Sequence, residues 1–253
     1  MSRILVFAYG LGSYLLFFAT FLYAFGFVTN LGVPRSIDGP PLLSPAAALG
    51  VDAALLGLFA LQHSIMARRW FKDWLTRYLP PLAERPTYVL ASSLALLLLF
   101  WQWQPLGGTV WEVSDPTARA ALTGLCVSGW LGVLVTTFLI NHFDLFGLRH
   151  AFLALAGKPY TPLRFGTPGP YKLVRHPLYV GWLVAFWATP HMTVTHLAFA
   201  AITTAYILVA IRFEERDLER EHGASYARYR AAVGMLFPRL RRSPATAPAG
   251  AAA

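Results

Sequence analysis

The sequence predicts an all-α polytopic membrane protein, with four full transmembrane helices followed by a C-terminal helical hairpin. Of its 253 residues, 56% are hydrophobic and only 13% are charged, whereas soluble domains average about 25% charged residues. Long uncharged stretches recur along the chain, and most basic residues fall between them. So apolar a chain cannot be disordered, and its single cysteine, Cys126, excludes a secreted disulfide scaffold.

The first four spans are predicted from uncharged or nearly uncharged stretches. Residues 4–28 hold no charged side chain, and this stretch exceeds the roughly 20 residues that cross a hydrocarbon core. The other three spans are predicted at residues 46–66, 88–101 and 120–140.

The C-terminal hairpin is predicted from two further apolar stretches. The first begins at Pro177 and meets Pro190 after 13 residues, about 20 Å of helix, which is too short to cross alone. The second, residues 193–211, is long enough. We expect residues 1–240 to form a single membrane domain and residues 241–253, a low-complexity stretch, to form a disordered tail.

The distribution of the 21 basic residues predicts the orientation. If the N-terminus is cytoplasmic and each full span crosses once, 19 basic residues lie inside and only Arg35 and Arg119 lie outside. This positive-inside bias places both termini in the cytoplasm. The net charge of +9 is therefore attributed to topology and to contact with membrane lipid, and no nucleic-acid partner is expected.

Polar side chains cluster where the spans reach the cytoplasmic face. The clusters are Gln62 with His63; Asn141, His142 and Asp144; Arg175 with His176; and Arg212, Glu214 and Glu215. Polar groups at the ends of apolar helices are costly unless paired, which makes them functional candidates. Each cluster also has a structural alternative, because it could cap a helix, form a helix exit or belong to a solvated helix.

Two segments of the C-terminal quarter are the most informative. In RHPLYVG, residues 175–181, Pro177 suits the first helical position, so the helix N-terminus and Arg175 are suited to an anion. EERDL, residues 214–218, is followed by HGASYARY. This pair of motifs resembles the one in the isoprenylcysteine carboxyl methyltransferase-like superfamily of membrane methyltransferases.

That resemblance implies S-adenosylmethionine bound at the cytosolic face by residues 169–230. It places cofactor contacts at Tyr171, Arg175, His176, Pro177, Tyr179, Gly181, Glu214, Glu215 and Tyr229. The cofactor has a carboxylate for Arg175 and the helix N-terminus, a sulfonium and an ammonium for Glu214 or Glu215, and ribose hydroxyls for either. The sequence leaves open which glutamate takes which group.

Nearly the whole chain resembles the bacterial nurim-like family of methanethiol S-methyltransferases, through segments such as LGLFALQHSIMAR and INHFDLFGLRH. The resemblance implies methyl transfer to methanethiol, giving dimethyl sulfide, by an integral protein of the bacterial inner membrane. Because a thiol is mostly protonated near neutral pH, a base should help. We expect His142, oriented by Asp144, to be that base, with His63 as the second candidate. No metal site is expected, since Cys126 and the scattered histidines form no recognised ligand set.

Two other functions remain open from the sequence. The acceptor could be a lipid or a prenyl-type group that enters a groove between helices, or the chain could be a non-enzymatic nurim-like membrane protein. A transporter would show discontinuous helices in two corresponding repeats, whereas we find one short helix and no repeat. The sequence does not determine the range of thiols accepted or the oligomeric state.

Overall fold

The computed structural model describes residues 2–163 and 166–239. Within these ranges the helices are α1 Arg3–Thr29, α2 Pro45–Met66, α3 Arg69–Leu75, α4 Pro81–Gln102, α5 Pro116–Ile140, α6 His142–Leu145, α7 Leu148–Leu155, α8 Pro177–Trp187, α9 Val194–His222 and α10 Ala224–Ala232. Five of them (α1, α2, α4, α5 and α9) are long and apolar enough to cross a membrane. The all-α membrane fold is thereby confirmed, while the predicted tail at residues 241–253 lies outside the described residues.

Helix α4 begins at Pro81, well before the span predicted at residues 88–101. The residues between Pro81 and the predicted start include Glu84, Arg85 and Pro86, and the helix runs through them. Pro81 occupies the first turn, where its missing N–H is harmless, and Glu84 in the same turn is favoured by the helix dipole. Arg85 donates from Nε to the carbonyl of Leu145 at 2.7 Å, which gives its charge a partner outside the helix.

Helices α8 and α9 differ greatly in length. The 11 residues of α8 are too few to cross a membrane, as predicted, whereas α9 has 29 residues and is about 44 Å long at 1.5 Å per residue. This length exceeds a hydrocarbon core of about 30 Å. Helix α9 thus continues beyond the predicted span at 193–211, and EERDL lies on the same continuous helix. It ends at Gly223, whose φ of 52° favours glycine.

Two short strands join the tip of the hairpin to the connection between α4 and α5. Strand β1, Thr109–Glu112, pairs antiparallel with β2, His191–Thr193. Thr193 also donates from Oγ1 to Asp38 at 2.5 Å, and Asp38 follows α1. We call this end of the bundle the strand end, and the opposite end, which carries RHPLYVG and EERDL, the motif end.

Helix α8 packs closely on α5 through two glycines. A Cβ added to Gly129 would lie 2.6 Å from the backbone nitrogen of Ala185, and one added to Gly181 would lie 3.0 Å from the carbonyl oxygen of Gly129. Small residues let helix backbones approach in this way within membranes. The contact fixes the short helix against a full span.

The main apolar core lies toward the strand end. Its largest buried side chains are Phe27, Leu99, Phe100, Trp103, Trp130, Phe186 and Phe199. Toward the motif end, by contrast, the same helices carry hydroxyl and imidazole groups that bond across the bundle, such as Tyr14, His63, Tyr88 and Tyr206. The fold thus places its polar interior beside the two motifs.

Candidate functional site

The two motifs meet through a buried ionic cluster. Arg175 donates from Nε to Glu215 Oε1 at 2.7 Å, and His176 Nε2 lies 3.0 Å from the same oxygen. All three residues are buried, so the charges are compensated within the protein rather than by water. The backbone N–H groups of Arg175 and His176 also donate to the carbonyls of Gly234 and Met235. The cluster therefore fastens RHPLYVG to α9 and to the chain after α10.

The remaining bonds of this cluster hold α10 and the residue after it against the first motif and the residues just before that motif. Arg175 Nη1 donates to the carbonyls of Val233 at 2.6 Å and Arg230 at 3.2 Å. Tyr229 donates its hydroxyl to the carbonyl of Tyr171 at 2.6 Å. Burial raises the pKa of Tyr229 to about 12 and also raises the pKa of Tyr171, so both hydroxyls keep their protons near neutral pH.

Glu214 differs from its neighbour because its side chain is 47% exposed. Its Oε2 accepts a hydrogen bond from the Tyr179 hydroxyl at 2.9 Å and lies 3.9 Å from His176 Nδ1. Within the described ranges, Glu214 Oε1 has no hydrogen-bond partner. Of the two glutamates in the motif, Glu214 is therefore the one with a carboxylate oxygen available to a ligand.

Two of the residues that the sequence assigned to the cofactor shape α8. Pro177 is its first residue and is buried, which leaves the first-turn N–H groups directed toward the motif end. Gly181 lies one turn further on, and a Cβ there would come within 2.9 Å of Val133 Cγ2. These residues set where the helix starts and how closely it packs.

His63 connects α2 to α4 and, through its neighbour, to α9. The Tyr88 hydroxyl lies 2.8 Å from His63 Nε2, and the Ser92 hydroxyl lies 3.2 Å from Nδ1. The next residue, Ser64, lies 3.3 Å by its hydroxyl from that of Tyr206 on α9. Tyr206 precedes Glu214 by about two helical turns, so this segment of α2 contacts the helix that carries the second motif.

His142 is 2% exposed and has a hydroxyl at each ring nitrogen. Thr137 Oγ1 lies 2.8 Å from Nδ1 and donates its own proton to the carbonyl of Leu134 at 2.6 Å. The Thr137 oxygen therefore accepts from Nδ1–H, and Tyr14 donates its hydroxyl to the lone pair on Nε2 at 3.0 Å. Burial lowers the pKa of His142, which keeps the imidazole neutral near pH 7.

Asp144 belongs to a separate set of contacts. Arg149 Nη1 donates to its Oδ1 at 2.7 Å, and the Tyr160 hydroxyl donates to its Oδ2 at 3.1 Å. The expectation that Asp144 orients His142 is therefore wrong, because Thr137 and Tyr14 occupy the two nitrogens of that ring. Asp144 instead holds the segment that follows α6.

Sequence reasoning missed the hydroxyl partners of both histidines. Tyr14 and Tyr88 lie in predominantly apolar helices, where a tyrosine counts as hydrophobic in a composition. The available signal was the phenol group itself, since a hydroxyl within a span needs a partner. The four polar clusters, by contrast, all lie at the motif end of the bundle, although in separate sets of contacts. Arg68 also pairs with Asp217 at 2.8 Å across the ends of α2 and α9.

A cavity of about 350 Å³ opens beside the buried ionic cluster of Arg175, His176 and Glu215, on the side of α9 and α10. Its lining residues are Arg212, Glu215, Arg216, Glu219 and Arg230. Taken together, the motif end presents an accessible carboxylate, a helix N-terminus, guanidinium groups and two hydroxyl–imidazole pairs. This set can bind a small ligand that carries both charges, and it can accept a proton.

Comparison with known proteins finds bacterial relatives over nearly the whole chain. The methanethiol S-methyltransferase of Crocosphaera subtropica is 54% identical over 238 residues, which cover 94% of this chain and 93% of the relative. That of Mycobacterium tuberculosis is 52% identical over 94% of this chain and 98% of its own. Nurim of Mus musculus is more distant, at 31% identity over 68% of each chain. No protein-family model and no solved structure matches the chain.

Proposed function

Because the chain belongs to the methanethiol S-methyltransferase family, we propose that it transfers a methyl group from S-adenosylmethionine to methanethiol and releases dimethyl sulfide. The observation that carries this proposal is the 49–54% identity to relatives of that name over most of the chain. The polar interior at the motif end supplies a place for the reaction within a membrane protein.

The residues present fit S-adenosylmethionine as the methyl donor. Glu214 has a free carboxylate oxygen for the ammonium or for the ribose hydroxyls, and Tyr179 holds its other oxygen. The first-turn N–H groups of α8 suit the carboxylate. When bound, S-adenosylmethionine would supply an electrophilic methyl group on its sulfonium; in-line attack by a thiolate would form the new S–C bond and release S-adenosylhomocysteine.

Arg175, His176 and Glu215 act as positioning residues in this proposal. Their polar atoms bond to one another and to backbone carbonyls, so they fix the two motifs at the spacing the ligand needs. Tyr171 and Tyr229 close the same site from the side of α10. Pro177 and Gly181 set the start and the packing of α8.

We propose His142 as the base, reached through Tyr14. The imidazole is too deeply buried to touch the thiol, whereas Tyr14 is only partly buried and donates to its free lone pair. The methanethiol proton passes to the Tyr14 oxygen while the Tyr14 proton passes to Nε2, which leaves a thiolate and an imidazolium. Asp144 supports this arrangement from outside by holding the chain after α6. His63 with Tyr88 is the second candidate pair.

We place the motif end at the cytoplasmic face of a bacterial inner membrane. The support is the distribution of basic residues along the sequence, which predicts 19 of the 21 on the cytoplasmic side. Methanethiol and dimethyl sulfide are small and apolar, so both can cross lipid to reach or leave a site between helices.

The activity is tested with purified protein in detergent, S-adenosylmethionine and methanethiol, by measuring dimethyl sulfide in the headspace. We expect product from the native protein and a calorimetric signal for binding of S-adenosylmethionine. Absence of both would overturn the proposal.

The base is tested with His142→Ala, which should leave binding of S-adenosylmethionine intact and slow turnover. General acid–base groups contribute about 10²–10⁴-fold, and a loss in that range is expected. Normal turnover of this variant from about pH 6 to pH 9 would exclude His142 and direct attention to His63.

A further inference from the structure

A second and larger cavity, of about 410 Å³, lies at the motif end and away from the two motifs. Residues of α3, α5, α6 and α7, the first turns of α4 and the loop after α7 line it, and its lining includes no residue of α8, α9 or α10. The mechanism proposed above does not use this cavity, although Asp144 borders it.

Two cations in the lining form no ion pair within 4.0 Å among the residues that the structure describes. Arg85 uses Nε for the carbonyl of Leu145, and its guanidinium carbon lies 4.9 Å from the ring centroid of Tyr88. Lys72 has no carboxylate within 4.0 Å in the part of the chain that the structure describes. Burial lowers the pKa of Lys72, and the charge of Glu84 only partly opposes this shift. An anion in the cavity would stabilise both groups.

The acidic residues of the lining are in different situations. Asp144 is already neutralised by Arg149 at 2.7 Å. Glu84 acts on Lys72 through its charge but forms no ion pair within 4.0 Å among the residues described, which leaves its carboxylate room for a positive group. His150, with a side chain that is 12% exposed, adds a buried Nδ1 that lies 3.9 Å from Asp144 Oδ1 and has no hydrogen-bond partner among the described residues. The cavity is therefore set up for a ligand that carries a negative and a positive group together.

The remaining lining is apolar and opens toward the surface of the bundle. Ile140 and Leu163 are 44% and 42% exposed and border the cavity. Ile140 is the last residue of a membrane span, and this is the depth at which lipid head groups meet acyl chains. Basic pockets between the ends of membrane helices are known to hold lipid head groups.

We propose that this cavity binds the head group of a phosphatidylethanolamine-type phospholipid. The phosphate lies between Lys72 and Arg85, the ammonium pairs with Glu84, and the acyl chains leave past Ile140 and Leu163. A zwitterionic head group places an opposite charge beside each of these three groups, whereas free phosphate would leave Glu84 facing a second anion.

The test measures lipid binding by native mass spectrometry of the detergent-purified protein, with dioleoylphosphatidylethanolamine as the probe. Dioleoylphosphatidylglycerol and inorganic phosphate serve as comparison ligands. Lys72→Met removes one basic contact and should weaken phosphatidylethanolamine binding by about fivefold or more, equivalent to about 1 kcal/mol. Lys158→Met, at an exposed lysine outside the lining, is the matched control and should bind like the native protein.

Glu84→Gln should remove the preference for phosphatidylethanolamine over phosphatidylglycerol. Equal binding by the Lys72→Met and Lys158→Met variants would overturn the proposal, and so would inorganic phosphate that displaces the bound lipid from the native protein. Melting temperatures measured without added lipid establish that each variant is folded. Methyl transfer is not the readout, so the outcome is independent of the proposed function.

Discussion

Replacing Glu215 with alanine is expected to destabilise the fold far more than the same change at Glu214. The Glu215 side chain is 8% exposed and bonds Arg175 at 2.7 Å and His176 at 3.0 Å. The Glu214 side chain is 47% exposed and accepts one hydrogen bond, from Tyr179. Although adjacent in sequence, Glu215 therefore lies in the protein interior and Glu214 lies at the surface.

The magnitude follows from what each substitution leaves behind. Glu215→Ala leaves the Arg175 guanidinium buried without its carboxylate, and breaking a buried pair in this way costs about 3–5 kcal/mol. The additional contact to Arg230 at 3.3 Å involves a half-exposed arginine and adds little. Glu214→Ala removes one exposed hydrogen bond, worth about 1 kcal/mol. For a chain of this size, 1 kcal/mol corresponds to about 2–4 °C in melting temperature.

The assay is thermal unfolding in detergent without methyl donor, followed by calorimetry with S-adenosylmethionine. We expect Glu215→Ala to melt about 10 °C below the native protein. Glu214→Ala should melt within about 4 °C of it and yet fail to bind S-adenosylmethionine. If Glu215→Ala melts like the native protein, or Glu214→Ala binds normally, the division between a structural and a ligand-binding glutamate is refuted.

Three further outcomes are expected. Gly129→Ala puts a Cβ 2.6 Å from a backbone nitrogen of α8 and should lower the free energy of unfolding by about 1–3 kcal/mol. Gly132→Ala, where nothing lies within 4 Å, is the control and should melt normally. Equal melting temperatures for the two variants would contradict the close packing. Burial lowers the pKa of His150 to about 4 from an ordinary 6.5, so the folded state favours the neutral imidazole. The free energy of unfolding should therefore fall as the pH drops from 6.5 toward 4, and it should fall less steeply in His150→Phe. An equally steep fall in the variant would contradict this role of His150. The double variant Tyr14→Phe with His142→Ala should turn over no more slowly than the slower of the two single variants, because both residues act on one proton path. Additive losses in turnover would show that the two residues have separate roles.

The boundaries of two spans illustrate where local sequence reasoning fails. The third span was predicted at residues 88–101, yet α4 begins at Pro81 and includes Pro86 and Arg85, which donates to a carbonyl of another segment. The last span was expected to stop near residue 211, yet no helix-breaking residue precedes Gly223. Hydropathy locates the part of a helix inside lipid, whereas the length of the helix depends on its breakers and partners.

The sequence by itself determined the membrane class, the number of full spans, the short eighth helix and the convergence of four polar clusters at one end. These follow from residue composition and span length, which are local properties that lipid imposes on any helix that crosses it. Only the tertiary structure decided which polar groups are paired. It buried Glu215 and exposed Glu214, and it gave His142 the hydroxyl of Tyr14, 128 positions away along the chain. Such pairs depend on how helices pack against one another, and no local pattern in the sequence records that packing.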